Sequence, residues 1–397
     1  MKSILYNCAI TFGIFFLMGC KEDPNRPEEP INIKLAEIKA EYAPDKRVAL
    51  FEVTAIKNTN EYILKGETNL PKAVKALKAR LANDSIAFVD SIQVLPADYL
   101  GKKTKAIINI SVANLRSNPS HSSELATQST LGTIVKVYKK EDDWYYVQTP
   151  DQYLAWVDAG GIALADEQKA ENWNGDEKII YTQTYGHAYL GPDENTSIVS
   201  DLTAGNLLTI LKYADNNYIV RFPDGRNAYV RKNEAEPYDA WLKNLNPTNE
   251  TLVSEGKALM GVPYLWGGTS TKGVDCSGFT KTIYFLNGMV IPRDASQQVH
   301  TGKFIDSTKS FQNLVEGDLL FFGRKATDTT AEKVVHVGMW IGDNEFIHAS
   351  GRVKISSVEK TSKNYDEYNL NRYLRTKRIF KQQGKGLIYL AKKPVFN

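Results

Sequence analysis

Cys276 is the residue whose type and setting most directly offer chemistry. It lies in the run Y-L-W-G-G-T-S-T-K-G-V-D-C-S-G-F-T-K-T-I-Y-F, residues 264–285. Upstream, Gly267, Gly268 and Gly273 among Thr and Ser read as loop. Downstream, Phe279, Ile283 and Leu286 recur at i, i+4 and i+7, the spacing of one apolar helix face. The thiol is therefore expected where loop becomes helix, with Asp275 as N-cap and the first-turn N–H groups and dipole favouring a thiolate. A thiolate attacks carbonyl carbon, and acyl transfer needs a base beside it. Two of the five histidines, His336 and His348, fall on consecutive expected strands, V-V-H-V-G-M-W-I (334–341) and E-F-I-H-A-S (345–350). In such a set Cys276 attacks, His336 takes and returns the proton, and His348 orients the His336 imidazole. The Cys276 N–H and one further donor, for which Tyr264 is the candidate, would hold the oxyanion. A small buried cysteine and a packing tyrosine are the alternatives at those two positions.

The set works only if the elements align it. Alternation puts Val334, His336, Gly338 and Trp340 on one face, and Phe346, His348 and Ser350 on one face of the next strand. A three-residue loop of Gly342, Asp343 and Asn344 would pair Ile341 with Glu345 and make the histidines diagonal neighbours on one face. A two-residue loop would separate them. The expectation is the odd loop or an equivalent bulge, with the Cys276 helix packed on the sheet that carries the histidines.

The N-terminus supplies an address. Residues 1–19 carry Lys2 and then an apolar stretch from Ala9 to Met18, too short to span a bilayer, and read as a signal peptide. The ending L-M-G-C at Cys20 resembles the lipobox of bacterial lipoproteins, which implies a lipidated Cys20 and a membrane anchor on the cell envelope. Residues 20–30 contain K-E-D-P-N-R-P-E-E-P, a charged, proline-rich tether. Of the three cysteines, Cys8 leaves with the signal and Cys20 is acylated, so Cys276 remains unpaired in an exported protein. An unpaired thiol in an oxidising compartment is a liability unless it is buried or used. The formal charge of +3 in 397 residues implies no nucleic-acid partner. No Cys/His cluster has metal-ligand spacing and no glycine pattern reads as a phosphate loop, so neither metal nor cofactor is expected.

Residues 31–104 read as a small α+β domain: V-A-L-F-E-V-T-A-I (48–56) and Y-I-L-K-G-E-T (62–68) as a strand pair, Ala73–Leu81 as a helix, and 86–94 as another strand. At 105–165 short strands alternate with polar turns, the pattern of a small β-barrel, and a looser copy follows at 178–232. Trp144, Tyr153 and Trp156 of the first barrel suit its core as well as a ligand. The last domain, 249–397, opens with a helix over Leu252–Met260 and passes from a helical half to an antiparallel sheet, an α+β pattern.

Several ordered motifs now carry a resemblance: G-V-P-Y-L-W-G-G, D-C-S-G-F, P-R-D, G-D-L-L-F-F, H-V-G-M-W-I-G and F-I-H-A-S, over about 255–350. Together they resemble the NlpC-type cysteine peptidases, papain-like enzymes that cut peptidoglycan peptides. The barrels resemble bacterial SH3-like domains, the first through V-A-N-L-R-S-N-P, S-E-L-A-T-Q, D-W-Y-Y-V and Y-L-A-W-V. The layout is similar to the γ-D-glutamyl-L-diamino-acid endopeptidases, the dipeptidyl-peptidase VI group. That resemblance implies cleavage of the γ-D-Glu to diamino-acid bond of murein peptides bearing a free N-terminal L-Ala, through a thioester acyl-enzyme. It assigns Cys276, His336 and His348 to the triad and Tyr264 to the oxyanion. Trp266, Asp275, Ser277 and Asp294 shape the pocket for the L-Ala-γ-D-Glu end, with Asp294 meeting the free α-amine. Glu124 and Tyr153 of the first barrel close that pocket. The group often has Ser directly after this Asp, whereas Ala295 and then Ser296 stand here. The alternatives are an endopeptidase on intact peptidoglycan stems and a non-catalytic wall-binding lipoprotein.

Overall fold

The computed structural model describes residues 29–384 and 386–392. The expected signal peptide, Cys20 and most of the tether lie outside the described residues.

The chain begins with helix Pro30–Tyr42, which the sequence reading did not include although Ile31, Leu35 and Ile38 recur at i, i+4 and i+7. With helix Pro71–Asn83 it covers a three-stranded sheet of Phe51–Lys57, Tyr62–Thr68 and Phe88–Val94. Each helix has Pro in its first turn, where the missing N–H is no loss. The expected hairpin forms, and the third strand joins Tyr62–Thr68 in parallel, as the helical crossover between them requires. Ile31 and Ile38 meet Leu64, Leu77 and Leu81 in the core. This unit is docked on the next: Leu50, Leu95 and Ala97 pack with Tyr138 and Leu154, and the Leu154 N–H donates to the Arg47 carbonyl at 2.7 Å.

Two seven-stranded antiparallel sheets follow, spanning Lys105–Ala165 and Lys178–Pro237. The first encloses Leu115, Val135, Val147 and Val157. Trp144, Tyr153 and Trp156 are buried too, but outside that cluster. The strand Leu125–Thr130, at the end of the strand order, runs along the glycine loop before Cys276: Thr269 N–H donates to Gln128 Oε1 at 2.9 Å and Ser270 Oγ donates to it at 3.0 Å.

In the C-terminal part, helix Asn249–Ala258 ends before the expected Met260, and the backbone turns at Gly261, φ 83°. Helix Cys276–Leu286 lies across a six-stranded antiparallel sheet in the order Lys303–Asp306, Tyr373–Arg378, Leu319–Arg324, Lys333–Gly342, Glu345–Ser350, Arg352–Ser357. Phe279 and Ile283 of the helix pack on Val337, Met339 and Ile347 of the sheet. The loop between the histidine strands has two residues: Gly342 pairs with Glu345 across Asp343 and Asn344, whose φ of 49° and 59° suit the tight hairpin turn. A bulge at Ile341 restores the parity that such a turn would lose, so Trp340 pairs with Phe346 and Met339 with Ile347. Continued, that register sets Gly338 opposite His348 and makes His336 its diagonal neighbour.

Candidate active site

Cys276 is the first residue of its helix, and Asp275 is the cap: the Gly278 N–H donates to Asp275 Oδ1 at 2.7 Å. The other oxygen, Oδ2, accepts the Gly267 N–H at 2.9 Å, so one carboxylate ties loop to helix on both sides of the thiol. Beneath it lies Arg293, 1% exposed. Its guanidinium donates to Asp275 at 2.6 and 3.1 Å, to Ser277 Oγ at 3.0 Å and, across to the first barrel, to Thr127 Oγ1 at 3.0 Å. Burial opposes the Arg293 charge, and the Asp275 carboxylate more than offsets it. Arg293 carries no role in the sequence reading, although it is the middle residue of the P-R-D motif.

The histidines meet as the bulge requires. His336 Nε2 and His348 Nδ1 are 2.8 Å apart with the rings near-perpendicular at 76°. His348 Nε2 in turn reaches Ser356 Oγ at 3.0 Å, with Asp366 Oδ2 at 3.8 Å. Neither Ser356 nor Asp366 was singled out from sequence. Ser356 was within reach: the strand after His348 pairs Phe346 with Ser356, which makes Ser356 a diagonal neighbour of His348. Asp366 caps the helix Glu367–Asn371 from a loop, and nothing in the sequence ties it to His348.

The helix packs on the histidine sheet as expected, and the two faces of that sheet divide the site. The helix packs on the face of Val337, Met339 and Ile347, while the histidines point to the opposite face, beside Phe322 and Phe346. Thiol and imidazole therefore do not meet through the helix–sheet core. Pairing between the two histidine strands runs no further than Met339–Ile347, so His336 lies where the ladder has ended. There the N–H of Val337, the residue after His336, bears on the sulfur.

Burial works against the thiolate that the helix tip favours. Burial first, then the Asp275 carboxylate, push the thiol up to about 12, against the Val337 N–H, the Arg293 charge and the Ser277 N–H. The cap that fixes the helix thus disfavours the thiolate. Burial likewise lowers both imidazoles, His336 well below its ordinary value and His348 to about 4. Burial thus favours the neutral forms of the thiol and of both imidazoles.

Cys276 lines a cavity of about 660 Å³ together with Tyr264, Trp266, Asp275, Ser277, Asp294, Glu124 and Tyr153. Burial raises the pKa of Tyr264, with the Asp275 charge adding to it, so its hydroxyl stays a donor. At the barrel wall Trp266 Nε1 donates to Glu124 Oε1 at 2.7 Å, and the Tyr153 hydroxyl donates to Asp294 Oδ2 at 3.2 Å. Asp294 has a second donor as well. Arg47 Nη1, from the N-terminal unit, donates to the same Oδ2 at 2.8 Å. Arg47 and its partner Asp45 were missed because nothing local marks residues 44–50 as part of a site over two hundred residues away. Ala295 and Ser296 line the cavity, and Ser296 Oγ accepts from Arg47 at 2.9 Å. Among the described residues no group of acids, histidines and cysteines is arranged to hold a metal ion.

The sequence matches the model of the NlpC/P60 family over residues 261–375 and that of the bacterial SH3 domain over 111–163. It is 32% identical over 237 residues to the γ-D-glutamyl-L-lysine dipeptidyl-peptidase of Bacillus cereus, 58% of this chain and 68% of that protein. It is 28% identical over 233 residues to the enzyme of that name from Bacillus subtilis, 57% of this chain and 72% of the other. Among solved structures, an NlpC/P60 family protein from Bacillus cereus superposes with a TM-score of 0.59 at 27% identity, covering 69% of this chain and 99% of its own. A thiol on a helix tip, a paired imidazole at the open end of a ladder and an SH3-like wall over the cavity agree with those matches: the chain belongs to the NlpC/P60 family of cysteine peptidases.

Proposed function

We propose that this peptidase of murein peptides hydrolyses the bond between γ-D-Glu and the L-diamino acid in short peptides with a free N-terminal L-Ala. The observation that carries the proposal is the layout of the cavity, with Cys276 on one side and the carboxylates of Glu124 and Asp294 on the barrel side. A free amine is met by carboxylates, and an N-acylated peptide offers them nothing. The named activity of the Bacillus relatives agrees with it.

In the proposed mechanism the proton of Cys276 passes to Nδ1 of His336, because Nε2 is held by His348. Because burial favours the neutral pair, this transfer accompanies attack rather than precedes it. Sulfur bonds to the γ-carbonyl carbon, and the Cys276 N–H and Tyr264 hydroxyl hold the oxyanion. The charged His336 then gives its proton to the leaving nitrogen as the C–N bond breaks, leaving a thioester that water hydrolyses with His336 as base. While His336 is charged, its Nε2–H donates to His348, and His348 donates onward to Ser356 near Asp366. That chain spreads the new charge and fixes the ring.

Cleavage of cell-wall peptides suits action outside the cytoplasm, and no helix of the described residues is long and apolar enough to cross a membrane. A cleaved signal peptide and acylation of Cys20 would hold the enzyme at the envelope. Mass spectrometry of products from L-Ala-γ-D-Glu-L-Lys, its diaminopimelate counterpart and the N-acetylated peptide tests the proposal. Release of L-Ala-γ-D-Glu from the free peptides alone is expected, and equal cleavage of the acetylated peptide refutes the free-amine requirement.

A further inference from the structure

The geometry points to Arg47, delivered by the N-terminal unit, as the specificity residue that recognises the free α-carboxylate of the γ-linked glutamate. The inference rests on the substrate class proposed above. A glutamate whose γ-carboxyl lies in the scissile bond keeps its α-carboxylate ionised at neutral pH. A free L-Ala before it adds an ammonium. Adjacent Cα atoms are about 3.8 Å apart and each charge is one bond from its Cα, so the substrate end is a compact zwitterion. Two opposite protein charges side by side are its complement.

Asp294 and Arg47 are such a pair, 2.8 Å apart on the cavity wall. The other two basic side chains lining the cavity, Lys46 and Lys333, make no hydrogen bond to Asp294. Arg293, bonded to Asp275, Ser277 and Thr127, is 1% exposed and does not line the cavity. Arg47 is also held in place. Asp45 takes its Nε and Nη2 at 2.8 and 2.7 Å, Gln297 fixes Asp45 at 2.8 Å, and the Arg47 carbonyl is pinned by the Leu154 N–H. With Asp294 and Ser296 on Nη1, four of its five N–H donors have partners. The fifth, on Nη2, is available in a side chain 33% exposed. A guanidinium so pre-set loses little freedom on donating its remaining N–H to a carboxylate. The N-terminal unit is thereby part of the substrate site and not a spacer before it.

The test measures kcat/KM of the full-length enzyme on L-Ala-γ-D-Glu-L-Lys and on the same peptide with the glutamyl α-carboxylate converted to a carboxamide. Wild type is expected to prefer the carboxylate by on the order of 10- to 100-fold. In Arg47→Gln that preference should shrink to within about threefold, chiefly by loss on the carboxylate peptide. Wild type cleaving both peptides equally, or Arg47→Gln slowing both by one factor, overturns the inference: Arg47 would then only brace Asp294. The first measurement needs no variant, so a misfolded Arg47→Gln leaves the inference open to refutation. Wild type failing on the carboxylate peptide altogether would instead sink the substrate class.

Discussion

His336 Nε2 lies 2.8 Å from His348 Nδ1, and the second imidazole rather than a carboxylate is the group that fixes the first. His348→Ala should therefore lower kcat by about 10²-fold or more with little change in KM, since the imidazole it orients acts only in the chemical steps. Ser356→Ala, one bond further out, should cost roughly 2- to 10-fold, the worth of one hydrogen bond. Cys276→Ala should abolish turnover. Steady-state kinetics on the free tripeptide orders the three.

Burial of Cys276 makes a separate prediction about the thiol. With Cys276 pushed up to about 12, its alkylation by iodoacetamide in the free enzyme should rise about tenfold per pH unit from pH 6 to 10 without levelling. A plateau beginning near pH 6 would show a standing thiolate–imidazolium pair and refute the neutral assignment.

Both histidines are held neutral inside the fold, and the sign of the pH effect on stability follows. Unfolded histidine binds a proton below about 6.5, whereas folded His348 does so only at about 4 and folded His336 also well below its ordinary value. Between these limits the unfolded chain carries more protons, so stability is complete above pH 6.5 and falls as pH drops toward 4. Each such group contributes a slope of about 1.4 kcal/mol per pH unit. Thermal melts across this range should show the loss, and His348→Gln should flatten it by about one proton. An unchanged slope in the variant would place the protonation elsewhere.

The site was legible in the sequence wherever local spacing encodes it. Asp275 as cap, Cys276 at the helix start and the parity of the histidine strands are consequences of periods 3.6 and 2, and each has its place in the fold. What spacing does not encode is environment. The helix tip argued for a thiolate, but a motif carries no measure of how deeply Cys276 is buried, nor of the charge that its cap would retain. Long-range contacts were equally silent: Arg47 reaches Asp294, and Thr127 reaches Arg293, through the docking of separately folded units. Glu124 and Tyr153 were found only because the family resemblance named them. Their contacts to Trp266 and Asp294 place both at the cavity wall.

Gly338 has a steric duty that the alternation pattern hides. A Cβ there would stand 2.8 Å from Phe346 Cδ2 and 3.2 Å from His348 Cβ, inside a packed face. Gly338→Ala should cost about 1–3 kcal/mol of stability, the usual toll of overpacking. By displacing His348 it should also lower kcat more than KM changes. A denaturant melt and a kinetic assay together separate the effects, and full activity in a destabilised variant would show that the His336–His348 bond survives the added methyl.

Asp275 and Arg293 form the ion pair on which the nucleophile's position depends, and burial decides what breaking it does. Arg293 is 1% exposed and Asp275 7% exposed, so removing the carboxylate leaves a guanidinium in the interior with, among the described residues, only Asp294, at 3.9 Å, as a further acid. Asp275→Asn keeps the shape and one acceptor oxygen but not the charge, and should cost about 3–5 kcal/mol. The same change removes the carboxylate that pushes the thiol pKa up, so the residual folded enzyme should alkylate at lower pH than wild type. Arg293→Lys should behave differently: one ammonium cannot span Asp275, Ser277 and Thr127 at once. Its loss should fall on the seam between barrel and peptidase sheet, visible as faster proteolysis of the strand Leu125–Thr130. If Asp275→Asn melts within about 1 kcal/mol of wild type, the pair is not what holds the cysteine in place.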